Sequence, residues 1–258
     1  MKVAIFAGGL GTRLGEETSV IPKPMIRIGE YPVIWHIMKI YSHFGFNDFV
    51  VLCGYKNEVV KDYFMNYYMN NSDITIDYED NSVEIHKKNS EKWKVTLVDT
   101  GINSMTGARL KKARSFLEND QFFLTYGDGV SDVNIKDLLE AHEKSGKILT
   151  LTAIQPEGRF GVLKIDENLV TSFGEKKDTI DSWINGGFFV VNPEIFDHIP
   201  DGKDTIFEQT TLNGLAEHGQ LNAYKHNGFW HCMDTLKDKN DLNALWHSRK
   251  APWKIWEE

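Results

Sequence analysis

Three glycines in four positions, Gly8-Gly9-Leu10-Gly11, lead directly into Thr12 and Arg13. With no Cβ in the way, backbone N–H groups in such a run can come close to a phosphate. The planar guanidinium of Arg13 adds a fork of donors for phosphate oxygens. Ten residues on, Pro22-Lys23-Pro24-Met25 sets one lysine between two prolines. Each proline restricts the backbone, so the Lys23 ammonium is held rather than free to sweep through solvent. Taken singly, the glycines could be a tight strand-to-helix turn and the lysine a solvated charge. Together in one loop, they favour a phosphate site. The spacing is not that of a dinucleotide fingerprint, and no Gly-Lys-Ser/Thr closes the run as a Walker loop. A phosphate site that works on charge also needs carboxylates for a hard cation. Asp128, between Gly127 and Gly129, is the first choice, because Asp132 nearby can serve equally well as a helix cap. Asp234 in Met233-Asp234-Thr235-Leu236 reads either as a second carboxylate or as the cap of a last helix.

These residues need a scaffold. Val3–Ala7 is a continuous apolar run, the signature of a central strand covered on both faces. An unusually long loop from Gly8 to about Pro32 follows, and such loops in compact domains are commonly functional. Ile34, Ile37, Met38, Tyr41 and Phe44 fall at helical spacing, with Gly45 at the expected C-terminal cap. Phe49–Cys53 predicts a second buried strand and Phe122–Tyr126 a third, with helices over Glu58–Met69 and about Thr106–Leu117 between them. This alternation predicts an α/β fold: a doubly wound, mostly parallel, Rossmann-like sheet that binds ligands beyond the carboxyl ends of its strands, where Asp128 falls. Alternating residues over about 74–98 (Val83, Ile85, Val95, Leu97) predict a small antiparallel β insertion at one edge. Strands over Leu149–Ala153, Gly161–Ile165 and Gly187–Val191 and helices over Ile206–Glu217 and Leu236–Trp246 complete one domain, 1–258. Its C-terminal extension, about 200–258, is assigned to sugar binding and oligomerisation.

The 258 residues carry 29 Lys and Arg against 37 Asp and Glu, a formal charge of −8, with 41% apolar and 26% charged residues. That excludes a disordered chain, and the acidic balance disfavours nucleic acid as a partner. The opening apolar run is too short for a secretory leader, and no stretch approaches the ~18 apolar residues of a membrane span, so a cytoplasmic location is expected. Two cysteines, Cys53 and Cys232, predict reduced thiols rather than a disulfide framework or a four-ligand zinc site. The nine histidines show no metal spacing, and Trp253 and Trp256 are expected to anchor the fold or a subunit contact.

Gly-Gly-x-Gly-Thr-Arg-Leu over Gly8–Leu14, followed by Pro22-Lys23-Pro24-Met25, resembles the signature of nucleotidyltransferases that make nucleoside-diphosphate sugars. Ser104-Met105-Thr106-Gly107-Ala108-Arg109-Leu110, Tyr126-Gly127-Asp128-Gly129, Gly158-Arg159-Phe160-Gly161, Ile184-Asn185-Gly186-Gly187 and Met233-Asp234-Thr235 extend the likeness over essentially the whole chain. They narrow it to the branch that forms CDP-glucose from CTP and glucose 1-phosphate. The resemblance implies Mg²⁺ as cofactor, a homo-oligomer, specifically a hexamer, and a role in bacterial surface polysaccharide (O-antigen, lipopolysaccharide) synthesis. It assigns Phe6, Ala7, Gly8, Gly9, Leu10, Gly11, Thr12 and Arg13 to the nucleotide, with Lys23, Ser104, Arg109 and Gly127. Arg13 and Lys23 are implied at the reacting phosphates, Asp128 and Asp234 at the metal, and Glu175, Lys176, Asn185 and Gly186 at the sugar phosphate. Lys177 stands where the family carries proline after Glu-Lys, so this chain departs from the pattern at the acceptor end. The implied reaction brings two anions together, and its demands are charge neutralisation and alignment rather than a protein nucleophile.

Overall fold

The structure, a computed structural model, describes the chain apart from residues 12, 13, 16, 17, 19, 89, 90, 156–161, 167, 175–182 and 258, and apart from the side chains of 87, 88, 162–165 and 172–174. Nine of its strands form the main sheet: β1 (Lys2–Ala7), β2 (Asp48–Cys53), β3 (Lys94–Asp99), β4 (Phe122–Tyr126), β5 (Leu149–Ile154), β6 (Val162–Asp166), β7 (Leu169–Gly174), β8 (Ile184–Val191) and β9 (Leu221–Lys225). Their spatial order is β6-β7-β9-β5-β8-β4-β1-β2-β3. β1 pairs in parallel with both β2 and β4, β2 with β3, and β5 with β9. β8 is antiparallel to both β4 and β5, and β7 is antiparallel to β6 and β9, so every other strand runs the same way.

Burial explains why β1 is central. Val3 and Ile5 enter one core with helices α1 (Val33–His43), α2 (Asn57–Asn70), α4 (Ile135–Ser145) and α5 (Leu236–His247), while α3 (Thr106–Lys112) packs on the other face. Ala4 and Phe6 enter the opposite core with Leu110 of α3 and with Phe207, Leu212 and Leu215. A strand with helices over both faces has no polar side to present, hence its unbroken apolar run. Helices on both faces make the sheet doubly wound, and the chain leaves β1 at Gly8 into the crevice between β1 and β4, where the winding reverses.

Three expectations are corrected in detail. The antiparallel insertion is shorter than 74–98: Ser72–Asp77 and Ser82–Lys88 form a separate hairpin, while Lys94–Asp99 is the parallel edge strand β3. β3 reads as alternating because an edge strand is only partly covered. The helix expected over 106–117 breaks at Ala113, between α3 and a single turn at Arg114–Leu117. The helix expected over 206–217 begins as a π-helical stretch, Phe207–Leu212, before an α-helical turn. At the C-terminus Trp253 is fully buried and stacks on Phe229, so it anchors the fold.

Candidate active site

Two clefts open at the carboxyl ends of the central strands. The larger, about 700 Å³, lies beyond β1 and β4. The smaller, about 540 Å³, reaches from β4 to the start of β8. Tyr126, Asp128 and Asp234 line both, so the two compartments share a wall.

Lys23 stands at that wall. Its ammonium donates to Asp128 Oδ2 at 2.6 Å and to Asp234 Oδ1 at 2.5 Å. The prolines hold it there: Lys23–Met25 is a 3₁₀ turn closed by Met25 N donating to the Pro22 carbonyl, with Pro24 and Met25 buried beneath. Burial alone would lower the Lys23 pKa, but Coulombic attraction and hydrogen bonds from the two carboxylates outweigh it, so the lysine stays protonated. The carboxylates, more than 100 residues apart in sequence, are joined by a two-stranded ladder, Gly129–Ser131 with Trp230–Cys232. Met233 N extends that ladder by donating to the Asp128 carbonyl at 2.8 Å.

The capping alternatives resolve on geometry. Thr235 caps α5 in a reciprocal box with Asp238, so Asp234 is not the capping residue. Asn134 caps α4, and Asp132 lies 2.9 Å from His226. Both carboxylates therefore point at one spot, and their oxygens are hard donors that converge around a single cationic atom. Mg²⁺ commonly takes one or two protein carboxylates and completes its shell with phosphate oxygens and water, so this pair fits it. Among the described residues no cluster of three or more His, Cys, Asp or Glu forms a richer metal site.

Arg109 braces the larger cleft. Its guanidinium is buried and donates to the carbonyls of Gly8 and Gly101, each at 2.7 Å, and to Thr100 Oγ1 at 2.8 Å. It thereby ties the end of β1 to the loop after β3. A Cβ on Gly8 or Gly54 would overlap that guanidinium, a steric reason for glycine at both positions. Burial lowers the Arg109 pKa from its ordinary value, and Cys53 and Asp99 pull against the shift. Ser104, also buried, donates to the Thr100 carbonyl at 2.6 Å and accepts from Lys112 at 2.9 Å. Two expected ligands thus have side chains engaged in holding the wall, and they face the cleft from within it.

Every described residue expected at the nucleotide lines the larger cleft, from Phe6–Gly11 through Lys23, Ser104, Arg109 and Gly127. Asn185 and Gly186 line the smaller cleft. Thr12, Arg13, Glu175 and Lys176 lie outside the described residues, as does the Gly158–Gly161 motif. Sequence reasoning gave no role to Tyr126, Glu208 or Trp230. Tyr126 stands inside a recognised motif. Burial, then the charge of Glu208 beside it, pushes its phenol pKa well up. Glu208 falls within the segment expected as a helix over Ile206–Glu217, where no pattern singles it out. Cys232, 3.4 Å from Asp234, is a thiol whose pKa burial and the neighbouring carboxylates raise, so it stays protonated.

The nucleotidyl transferase family model matches residues 2–246. The chain is 53% identical to the glucose-1-phosphate cytidylyltransferase of Salmonella typhi over the full length of both proteins. It is 40% identical to a probable glucose-1-phosphate cytidylyltransferase of Bacillus subtilis, covering 99% of this chain and 100% of that one. In fold it is similar to HddC from Yersinia pseudotuberculosis complexed with GMP-PN, with a TM-score of 0.76 at 22% identity over 95% of this chain and 99% of that one.

Proposed function

The chain belongs to the nucleotidyl transferase family, and from that premise we propose that it forms CDP-glucose and pyrophosphate from CTP and α-D-glucose 1-phosphate. An oxygen of the sugar phosphate attacks the α-phosphorus of CTP in line. A new P–O bond forms as the bond to the bridging oxygen of pyrophosphate breaks, and that oxygen leaves with the electron pair. The observation that carries this reading is Lys23, held between Asp128 and Asp234 at the wall common to two clefts. An ammonium fixed there offsets negative charge where the two phosphates must meet, and its preorganisation removes the reorganisation cost that solvent would impose.

Family members generally use a divalent metal. For this chain we assign Mg²⁺, held by Asp128 and Asp234; when bound, it supplies positive charge against phosphate oxygens. The larger cleft takes the nucleotide, with backbone of Gly8–Gly11 along the phosphates and Arg109 keeping that loop in place. Thr12 and Arg13 continue the same loop in sequence, and Arg13 belongs at the reacting phosphates. The smaller cleft takes the sugar phosphate, with Asn185 and Gly186 at its wall and Glu175 and Lys176 assigned to its sugar end. The portion after about residue 200 supplies Glu208, Trp230 and Asp234 to that side.

We also assign a homo-oligomer, with hexamer as the expected size. The hairpin 72–88 leaves Ile76, Tyr78 and Val83 exposed away from the main sheet, a face suited to a second copy. Among the described residues no helix is long and apolar enough to cross a membrane. A cytoplasmic site of action is the reading that fits the CTP substrate. Pyrophosphate release from glucose 1-phosphate with each nucleoside triphosphate tests the assignment. CTP-dependent release supports it; release only with UTP or dTTP, or only with a different phosphorylated acceptor, replaces it with a same-fold alternative. CTP binding without turnover under Mg²⁺ identifies a non-catalytic binding subunit.

A further inference from the structure

Glu208 enters the smaller cleft from the π-helical stretch Phe207–Leu212. Tyr126 donates its phenolic hydrogen to Glu208 Oε1 at 2.5 Å, and Thr106 donates its hydroxyl to Oε2 at 2.7 Å. Phe207 N donates in turn to Thr106 Oγ1 at 2.9 Å. The carboxylate is therefore pinned by hydroxyls from two separate elements, the end of β4 and the start of α3. A π-helical turn sacrifices regular hydrogen-bond geometry and concentrates where a side chain must be re-aimed. Here it lets Phe207 N and the Glu208 carboxylate reach the same threonine.

The surroundings leave that carboxylate with spare acceptor capacity. Each oxygen receives one hydroxyl and keeps a further lone pair, and among the described residues no cation forms an ion pair with it. Tyr126, having spent its hydrogen on Glu208, offers oxygen lone pairs to the same cleft, with Asn185 Nδ2 at 3.4 Å. Gly187, at φ +77°, makes room for the Tyr126 ring, since a Cβ there would lie 2.5 Å from the ring edge. The two ends of the cleft differ. One presents Asp128 and Asp234, which Lys23 bridges from the larger cleft; the other holds a carboxylate that no cation pairs with among the described residues, and a phenolic oxygen, both asking for hydrogen-bond donors.

We infer that Glu208 is a specificity-determining residue of the acceptor compartment, accepting a hydroxyl of the sugar ring and turning the acceptor's phosphate towards Lys23. This rests on the proposed function and deepens it. A dianionic phosphate is repelled from the Glu208 end, whereas a neutral polyhydroxylated ring supplies the donors that end lacks. An acceptor bearing a carboxylate on the ring is rejected by the same charge.

The test compares wild type with Glu208→Gln on glucose 1-phosphate and on its four analogues lacking one hydroxyl at C2, C3, C4 or C6. In wild type, at least one analogue loses about 10- to 100-fold in kcat/KM, the cost of leaving a half-buried acceptor unpaired. In Glu208→Gln, glucose 1-phosphate falls towards that analogue, the penalty for the missing hydroxyl shrinks, and KM for CTP stays within about twofold. A strut with no ligand role behaves otherwise: all five acceptors fall by one factor, or KM for CTP rises equally, and either result overturns the inference. If Glu208→Gln does not fold, Tyr126→Phe loosens the same carboxylate and is read on the same series, an unchanged penalty counting against the inference. Should wild type use another sugar 1-phosphate or nucleotide, the proposed function fails, and the deoxygenated series of the sugar it does use decides Glu208 separately.

Discussion

The larger cleft draws much of its wall from one continuous segment, Phe6–Gly11, the end of β1 and the loop after it, braced by Arg109 on α3, whereas the smaller cleft is assembled from residues near 126, 185, 208 and 230. In the first, close glycine backbone and one buried guanidinium do the shaping. In the second, side chains from distant segments meet through hydrogen bonds: Tyr126 with Glu208, and Trp230 Nε1 donating to the Gly186 carbonyl at 2.6 Å. On the proposed assignment, a phosphate compartment built from backbone tolerates little sequence change, because its N–H donors need the loop shape itself. An acceptor compartment built from side chains can be retuned one residue at a time. Lys177, where this chain departs from its family pattern, follows directly in sequence on Glu175-Lys176, the pair proposed for the acceptor.

The sharpest way to break that contrast is at the wall both clefts share. Lys23→Ala removes an ammonium that bonds both carboxylates, and turnover should fall about 100- to 1,000-fold, the range for losing a preorganised charge at the reacting centre. Circular dichroism should show an intact fold, and pyrophosphate release reports the loss. Near-normal rates would remove Lys23 from the chemistry. The next effect should be one-sided. Arg109→Lys keeps a charge but loses the planar fork that reaches Gly8 and Gly101 together, so KM for CTP should rise about tenfold or more while KM for glucose 1-phosphate hardly moves. Equal changes in both constants would mean that the two compartments are not separable as described.

The smallest effect on activity comes from outside both clefts. His36 is fully buried among Trp246, Trp253 and Tyr31, with its Nε2 at 2.9 Å from the Ile28 carbonyl. Burial pushes its pKa down from 6.5 to about 4, with the Ile28 and Tyr31 backbone acting weakly the other way. The unfolded chain therefore binds a proton more readily than the folded one. Stability is full above about pH 6.5 and declines as pH falls towards 4, by at most about 3 kcal/mol from this group. Urea unfolding at pH 7 and pH 4.5 measures the decline, and His36→Gln should flatten it. An unchanged slope would assign the acid sensitivity to other groups.

The same contrast explains what the sequence made legible. Gly8–Gly11 and Pro22-Lys23-Pro24 stand out because what they impose is local: contiguous residue types fix the backbone that lines the larger cleft. The β1 run gave away its central place because both its faces are covered. Asp234 was ambiguous in sequence, since an aspartate and a threonine in succession can each cap a helix; the choice of Thr235 depends on the reciprocal contact with Asp238. Glu208 was out of reach for a different reason. A π-helical turn has no period of its own in hydrophobic pattern, so the segment 206–217 reads as an ordinary helix with nothing to single out Glu208. Tyr126 was visible only as a motif member, because its partner lies 82 positions further along the chain.

The central claim is that CTP and the sugar phosphate meet beside Lys23, over the Asp128 and Asp234 pair. It is most directly tested by ³¹P relaxation from Mn²⁺ bound in place of Mg²⁺, with glucose 1-phosphate and a CTP analogue carrying a methylene between its α- and β-phosphorus atoms. The account predicts strong relaxation of both the sugar phosphate and the α-phosphorus, lost from both together in Asp128→Asn combined with Asp234→Asn. Relaxation confined to one of the two compounds, or persisting in the double variant, would contradict it.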